Sequence, residues 1–279
     1  MNWDKAKNII IIALICINIV LLIVSNYGSD KYILSSDKEK AIISLLNKNG
    51  IKVITELPKK FEPSPYLLMD KSKYNAEELK SIFFEEGEDV KRSVEFEATI
   101  FKTDKKILTI NESSIDYRNM GVEKSVDKFE ASEAKKEAEK IIKALMKNKS
   151  YELQEIKFTN GRYYLRYYEI YLKNKIYSNY IDFVINKNGI EIMQLIKYDI
   201  EGFYGTNREI CSADEALFSF LQGIKSEDAE TEILIDGIEL GYCFEEAASQ
   251  SRAIPCYRIS VKDGEVYYIN AYTGEIIIN

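Results

Sequence analysis

The feature that most constrains this chain is a sixteen-residue apolar run, Ile9 to Val24, which only Asn18 interrupts. As a helix this run is about 24 Å long, slightly shorter than the roughly 30 Å of a bilayer core. Polar neighbours can extend it, and Trp3 and Tyr27 stand where interfacial aromatic residues are common. The run therefore predicts a transmembrane helix over residues 8–26, preceded by a head at residues 1–7.

Three interpretations of this run compete. A cleaved signal peptide needs small residues before the cut, and residues 24–29 (VSNYGS) offer no A-x-A pattern. A lipoprotein signal also requires small residues before its cysteine, whereas Leu14 and Ile15 precede Cys16, which lies in the middle of the run. The pattern therefore favours a retained signal anchor that crosses the cell membrane once.

The flanking charges give only a weak orientation signal. Lys5 and Lys7 precede the run, and three lysines follow it within residues 31–40. We expect a cytoplasmic N-terminus, because a seven-residue head is easily retained while the long C-terminal part is translocated. This extracytoplasmic part, residues 27–279, has 44 acidic and 36 basic side chains. Its net charge of -8 would repel anionic headgroups.

Asn18 is the most informative residue of the predicted helix. A side-chain amide at this depth costs energy unless it finds a hydrogen-bond partner. Hydrogen bonds from such amides to a neighbouring helix stabilise helix association by about 0.6–2 kcal/mol. Two interpretations remain open: a tolerated polar residue in a simple anchor, or part of a stripe that contacts another transmembrane helix. At helical spacing that stripe comprises Asn18 with Ile11, Leu14, Leu21, Leu22 and Ser25.

Composition excludes many kinds of catalysis. The chain contains no histidine, which removes Ser-His-Asp triads, Cys-His dyads, imidazole zinc sites and histidine proton switches. No nucleophile elbow, phosphate-binding loop or dinucleotide fingerprint occurs. The acidic run at 85–89 lacks calcium-loop spacing and indicates a solvated loop. With a net charge of -7, the chain is also a poor nucleic-acid binder. We therefore predict a protein that is not an enzyme and has no cofactor or metal site.

The remaining sequence predicts an α+β fold with antiparallel sheets. Capping-box spacing occurs at Ser36 with Glu39, at Asn75 with Glu78 and at Ser212 with Glu215. These pairs predict helices near 37–48, 76–85 and 213–224, and apolar periodicity predicts a fourth near 132–148. Type I′ hairpin signals occur at Asn160-Gly161, Asn188-Gly189 and Asp263-Gly264. Strands are predicted near 93–102, 106–111, 114–118, 151–159, 162–172, 176–186, 190–198, 231–236, 239–245, 253–262 and 265–271, with a short tail at 275–279.

The order of these elements predicts three extracytoplasmic segments. Residues 27–130 form an α+β unit, and residues 131–202 form a helix followed by a four-stranded antiparallel sheet. Residues 203–279 repeat the order of a helix and a sheet, although the sequence itself is not repeated.

Tyrosines are densest in the segment GRYYLRYYEIYL at residues 161–172. The ordinary interpretation is a strand with one face in the core and tyrosines paired across strands on the other. The functional interpretation is a partner-binding surface, because tyrosines supply contact area at low entropic cost. Its candidate residues are Tyr163, Tyr164, Tyr167, Tyr168 and Tyr171.

Two cysteines near the C-terminus are candidates for a disulfide. A hairpin centred between Ser249 and Gln250 would place Cys243 opposite Cys256, within bonding range. Outside the membrane such a bond would persist. The alternative is a pair of small buried residues.

Both ends of the chain resemble a known family. Residues 1–7 read MNWDKAK, and an Ile-rich run with a central Asn18 follows; residues 253–259 read AIPCYRI, and residues 267–276 read YYINAYTGEI. These segments resemble the beginning and the end of YycI proteins. The last segment is also similar to the terminal hairpin of the wider PepSY-like group.

The resemblance implies a role that is not catalytic. YycI proteins are membrane-anchored accessory regulators of the sensor histidine kinase YycG (also called WalK) in Gram-positive bacteria. They act together with a YycH protein, and the two-component system governs cell-wall metabolism. An alternative is an anchored PepSY-like module that inhibits a secreted protease or binds an envelope-assembly partner. Replacing the helix by an unrelated one separates the two, because only the kinase regulator would lose its function.

Overall fold

The computed structural model describes residues 3–123, 125, 127–147, 149–224, 233–244 and 252–277. Within them the fold is α+β, as predicted, with a large mixed sheet. The helices are α1 (Trp3–Asp30), α2 (Ser36–Lys48), α3 (Ala76–Phe83), α4 (Ala131–Leu145) and α5 (Ala213–Gly223). The strands are β1 (Ile51–Val53), β2 (Ser64–Lys71), β3 (Lys91–Glu95), β4 (Ala98–Lys102), β5 (Lys106–Ile110), β6 (Ser114–Asn119), β7 (Ser150–Thr159), β8 (Arg162–Tyr171), β9 (Asn174–Asn186), β10 (Gly189–Ile196), β11 (Tyr198–Arg208), β12 (Ile233–Phe244), β13 (Arg252–Val261), β14 (Val266–Asn270) and β15 (Ile276–Ile277).

The chain forms two compact units, each discontinuous in sequence. The first comprises Met1–Ser64, Asn207–Glu239 and Tyr257–Asn279, and the second comprises Pro65–Thr206 and Leu240–Cys256. The contiguous segments at 27–130, 131–202 and 203–279 stay a prediction from element order.

In the second unit an antiparallel sheet runs in the order β7-β8-β9-β10-β6-β5-β4-β3. One row of directly paired residues crosses six of these strands, and its only polar side-chain atom is one tyrosine hydroxyl. Helices α3 and α4 cover this row through Leu79, Phe83, Ala134 and Ala138. Strand alternation therefore places the opposite row towards solvent. The covered row, from β8 to β4, is Leu165, Phe183, Met193, Tyr117, Leu108 and Phe101; in β3 it continues to Arg92.

In the first unit, α2 and α5 contact each other, and β1 pairs in parallel with the start of β12. Leu46 of α2 and Phe220 of α5 are fully buried. The hydroxyl of Tyr257 donates a hydrogen bond of 2.9 Å to the carbonyl of Cys211, just before α5. Strand β14 pairs with β15 at the C-terminal end, in antiparallel register.

The four helices predicted beyond residue 27 are present, and one of the three predicted N-terminal caps differs. The Asn75 side chain accepts bonds from Glu77 and Glu78, and the Glu215 carboxylate accepts one of 2.9 Å from the Ser212 amide. The predicted cap at Ser36 is wrong by one residue. The cap is Ser35, whose hydroxyl accepts a hydrogen bond from the Lys38 amide three residues later. Two adjacent serines can each occupy a cap position, and the Ser36–Glu39 spacing favoured the wrong one.

The predicted hairpin turns are only partly correct in type. At Asn160-Gly161 both residues have positive φ, 51° and 75°, as a type I′ turn requires. At Asn188-Gly189 the hairpin is present, but Asn188 is not left-handed. Its amide donates a bond of 2.7 Å to the Asn186 side chain, which closes the turn differently.

Two strand predictions are wrong. The run predicted near 93–102 is a hairpin, β3 and β4, because Phe96 and Glu97 turn the chain without a Gly, Pro, Asn or Asp. The two strands predicted near 231–236 and 239–245 are one strand in the described part, 233–244. A Cβ on Gly237 would clash with the Ser260 hydroxyl, so this glycine permits a close strand approach and not a turn. Residues 231–232, 245–251 and 278–279 lie outside the described residues.

Candidate interaction surfaces

Helix α1 contains the stripe predicted around Asn18. Every side chain from Ile10 to Leu22 is exposed, including Ile11, Leu14, Asn18, Leu21 and Leu22 of the stripe. The side chain of Ser25 lies outside those the structure describes, as do those of residues 4–6, 9, 23–24 and 26–30. In the described part of the chain, no helix has the combined length and apolar character of a membrane span.

Tyrosines of β8 divide between the core and the surface. Tyr163, Tyr167 and Tyr168 are buried, with 6%, 2% and 1% of their area exposed, and Tyr171 is partly buried. Tyr164 is exposed at 43%. Tyr168 lies on the opposite face from Tyr167 and is buried there beside the rings of Tyr177 and Tyr180, whose centres are 5.2 and 6.4 Å away. Most of the proposed partner surface is therefore inside the fold, and a binding role for Tyr164 stays a prediction.

A charged pair organises the solvent-facing side of this sheet. The Arg166 guanidinium donates two hydrogen bonds to the Asp182 carboxylate, at 2.7 and 2.6 Å, and stacks 4.7 Å from the centre of the Tyr180 ring. The hydrogen bond to Asp182 raises the pKa of Arg166. On the same face, burial raises the pKa of Asp116 above its ordinary value, while Arg118 opposes the shift. The face is thus polar and laterally cross-linked along its central row.

The structure also contains a buried polar group that the sequence analysis did not identify. Glu169 and Asn179 are both fully buried, and the Asn179 amide donates a bond of 2.7 Å to Oε2 of Glu169. Lys149 Nζ lies 3.2 Å from Oε1, without hydrogen-bond geometry. Burial, and then the Glu169 charge, raise the pKa of Tyr151. The available signal was a lone carboxylate in a strand of aromatic and apolar residues.

Cys243 and Cys256 are adjacent, with their Cα atoms 6.0 Å apart, a separation that a disulfide can span. The hairpin centre proposed at Ser249 and Gln250 lies outside the described residues. A disulfide between these two cysteines in the cell stays a prediction.

Cys211 lines a groove of about 570 Å³ in the first unit, between α2 and α5. Leu45 and Phe218 form its exposed apolar walls, with Asp214 and Glu215 beside them. Burial, and then Glu215, raise the pKa of the Cys211 thiol to about 12. The thiol is therefore neutral at physiological pH and is a poor nucleophile.

The described residues contain no group of three or more His, Cys, Asp or Glu side chains placed to hold a metal ion.

Comparisons with known proteins place these features in a family. An uncharacterized protein from Eubacterium rectale ATCC 33656 has a TM-score of 0.54 and 13% identity, covering 86% of this chain and 99% of that one. This identity shows a shared fold alone. The Bacillus megaterium YpeB C-terminal domain has a TM-score of 0.45 and 10% identity, covering 74% and 96% of the two chains. No curated protein matches.

The family model described as YycI protein matches residues 29–272, which is most of the chain. The chain is therefore a member of the YycI family.

Proposed function

We propose that this protein is a membrane-anchored, non-enzymatic regulator of a sensor histidine kinase of the YycG/WalK type. Membership of the YycI family carries the proposal, because it suggests an accessory role in two-component regulation. In this proposal the protein acts beside a YycH-like partner and helps to tune cell-wall regulation. Its N-terminus is cytoplasmic, and the part beyond α1 is extracytoplasmic.

The properties of α1 support an anchor that contacts other helices. Its 28 residues give a length of about 42 Å, more than the roughly 30 Å of a bilayer core. The described apolar side chains from Ile10 to Leu22 are exposed, so they are available to lipid or to another helix. Asn18 lies among them, and its amide gains most by bonding to a neighbouring helix.

Regulation then follows from differential binding. A kinase with two signalling states changes its population only by the difference in binding free energy between those states. A hydrogen bond of the Asn18 amide that contributes about 1 kcal/mol in one state alone shifts the equilibrium between the two states about fivefold. Contacts of the extracytoplasmic part would hold α1 in position beside the kinase helices.

The test removes the Asn18 side-chain amide in one variant and moves it to another position in a second. Asn18→Leu removes the amide, and the double variant Asn18→Leu/Val20→Asn places it on the opposite face of α1 at nearly the same depth. Val20→Leu is the matched control, since it changes an exposed apolar residue on that opposite face. We expect kinase-dependent reporter output to change in both variants that lack Asn18 and to stay normal in the control.

Membrane fractionation and protein level are measured in the same strains. Unchanged output in both amide variants, at normal protein level, would refute the stripe as the contact. Replacing α1 by an unrelated anchor tests the whole proposal. Full function with a foreign helix would instead favour a module that acts through its extracytoplasmic part alone.

A further inference from the structure

The hairpin between β3 and β4 ends in an unusual turn in the second unit. Phe96 and Glu97 have φ values of 48° and 68°, the left-handed region that bulky side chains rarely adopt. The Phe96 side chain is fully exposed and Val94 beside it is also exposed. Four consecutive exposed residues, Val94 to Glu97, thus form a hairpin tip with two apolar side chains in water.

This tip is poorly suited to stability alone. Asn-Gly is the preferred pair for a two-residue turn in which both φ values are positive, and this chain uses it at Asn160-Gly161 with similar angles. Because Phe96 is exposed, its ring adds no burial energy to the fold, while its left-handed backbone still costs free energy. The turn at Leu172 and Lys173 has the same backbone signs, so strain alone does not distinguish the tip. What distinguishes it is a fully exposed aromatic ring with the exposed Val94 beside it, an apolar pair that points to a role outside the fold.

Charge indicates what kind of partner fits the tip. Glu95 and Glu97 are exposed on either side of Phe96. Anionic headgroups would repel both carboxylates, which disfavours insertion into a membrane. The apolar groove of the first unit is a poor receptor on a second copy, because it carries Asp214 and Glu215 against only Lys38. An apolar pocket with basic side chains at its rim is complementary to the Phe96 ring and to the carboxylates of Glu95 and Glu97.

We infer that the hairpin tip is a protein-docking surface, which inserts Phe96 into an apolar, basic-rimmed pocket of a different protein. The inference goes beyond the proposed kinase regulation and does not depend on α1 or on the identity of the kinase. Phe96 would be the central aromatic anchor, Val94 would extend its apolar contact, and the two glutamates would pair at the rim.

The variants are chosen to separate binding from folding. Phe96→Asn and Phe96→Gly both relieve the left-handed backbone, and they remove the aromatic ring. Leu172→Asn is the matched control, because Leu172 is also exposed and left-handed, with φ of 45°, in the two-residue turn between β8 and β9. We expect the Tm of all three full-length variants to equal or exceed that of the wild type, with a gain of about 2–4 °C where about 1 kcal/mol of strain is relieved.

Binding is measured by photo-crosslinking in the cells that naturally make the protein. A benzophenone amino acid replaces Val94 in the full chain, and also Met120, an exposed residue outside the tip, as a positional control. We expect an adduct with one protein at position 94 and none with that protein at 120. Its yield should fall at least about tenfold in the Phe96 variants, as loss of an aromatic hot spot implies, and stay unchanged with Leu172→Asn.

The identity of the crosslinked peptide decides the chemistry of the pocket. Lysines or arginines around an apolar attachment site support the inference. An adduct between two copies of this chain, a pocket without basic residues, or equal yields in all backgrounds would overturn it. So would a Tm that falls in both Phe96 variants, because Phe96 would then serve the fold.

Discussion

The buried pair of Glu169 and Asn179 gives the sharpest test of what stabilises the second unit. The Asn179 side chain makes three hydrogen bonds: to Glu169 Oε2 at 2.7 Å, to the Tyr198 carbonyl at 2.9 Å and from the Tyr198 amide at 2.9 Å. One amide thus connects β8 and β9 to the first residue of β11. We predict that Asn179→Leu, which keeps a similar size without any polar atom, strongly destabilises this unit.

The magnitude follows from the groups that lose their partner. The two hydrogen bonds between Asn179 and the Tyr198 backbone contribute about 1 kcal/mol each, and the hydrogen bond to the charged Glu169 carboxylate contributes about 1.5–3 kcal/mol. The leucine side chain recovers about 1.5–3 kcal/mol by burial. The remaining desolvation of a carboxylate, an amide and a carbonyl leaves a net loss of about 3 kcal/mol. A loss of this size corresponds to a Tm lower by about 6–12 °C.

Two further variants isolate the cause. Asn174→Leu is the matched control, because Asn174 lies on the same strand and makes an exposed bond of 3.2 Å to the Leu172 carbonyl. Its effect should stay within about 0.5 kcal/mol. Glu169→Gln removes the charge and keeps an oxygen that accepts from Asn179. We expect it to cost about 1 kcal/mol, because the half-exposed Lys149 loses its ion pair but remains solvated.

Urea unfolding of the full chain in detergent, followed by the near-ultraviolet dichroism of its tyrosines, measures these differences. The expected order of stability is wild type, Asn174→Leu, Glu169→Gln and, well below them, Asn179→Leu. If Asn179→Leu unfolds within about 1 kcal/mol of wild type, the reasoning on unsatisfied buried groups is wrong for this site.

Three other predictions concern pH, cross-linking and close packing. Because burial raises the pKa of Asp116, the folded state holds its proton more tightly, and its charge costs stability once the pH passes the raised pKa. Asp116→Asn should therefore be more stable than wild type at pH 7 and equal to it at pH 3, as measured by urea titration. Non-reducing peptide mapping should find Cys243 bonded to Cys256; replacing both by alanine should lower stability by about 3 kcal/mol for a 13-residue separation, and free thiols in the native protein would refute the bond. Gly241→Ala should lower the Tm, because its Cβ would lie 2.6 Å from the Lys175 carbonyl oxygen of β9, and an unchanged Tm would show that the strands can separate.

Sequence reasoning located elements where local and tertiary preferences agree. Helix α4 was predictable because Ala134, Ala138 and Ile142 recur at helical spacing, and all three are buried. The cap at Asn75 was predictable because it depends on a local hydrogen bond. Strands β2 and β11 were missed, since β2 contains Pro65 and β11 contains two glycines, and their pairing depends on distant partners. Tyr163 and Tyr167 alternate with Leu165 on the covered face, as the ordinary interpretation of this strand expects. The burial of Tyr168 on the other face depends on rings of β9, which alternation within one strand does not show.

The failure at the β3–β4 hairpin has a different cause. At Asn160-Gly161 the residue types and the backbone agree, so the turn was readable, whereas Phe96-Glu97 has the same signs of φ with residues that oppose them. Tertiary pairing of β3 with β4 fixes the register on both sides, from Lys91↔Lys102 to Glu95↔Ala98, and so imposes the turn on an unfavourable pair. Conflict between local preference and fold is expected where selection acts on something other than stability. If that reasoning holds, replacing Phe96 with asparagine improves the fold and removes an interaction, and the two effects must appear in the same variant.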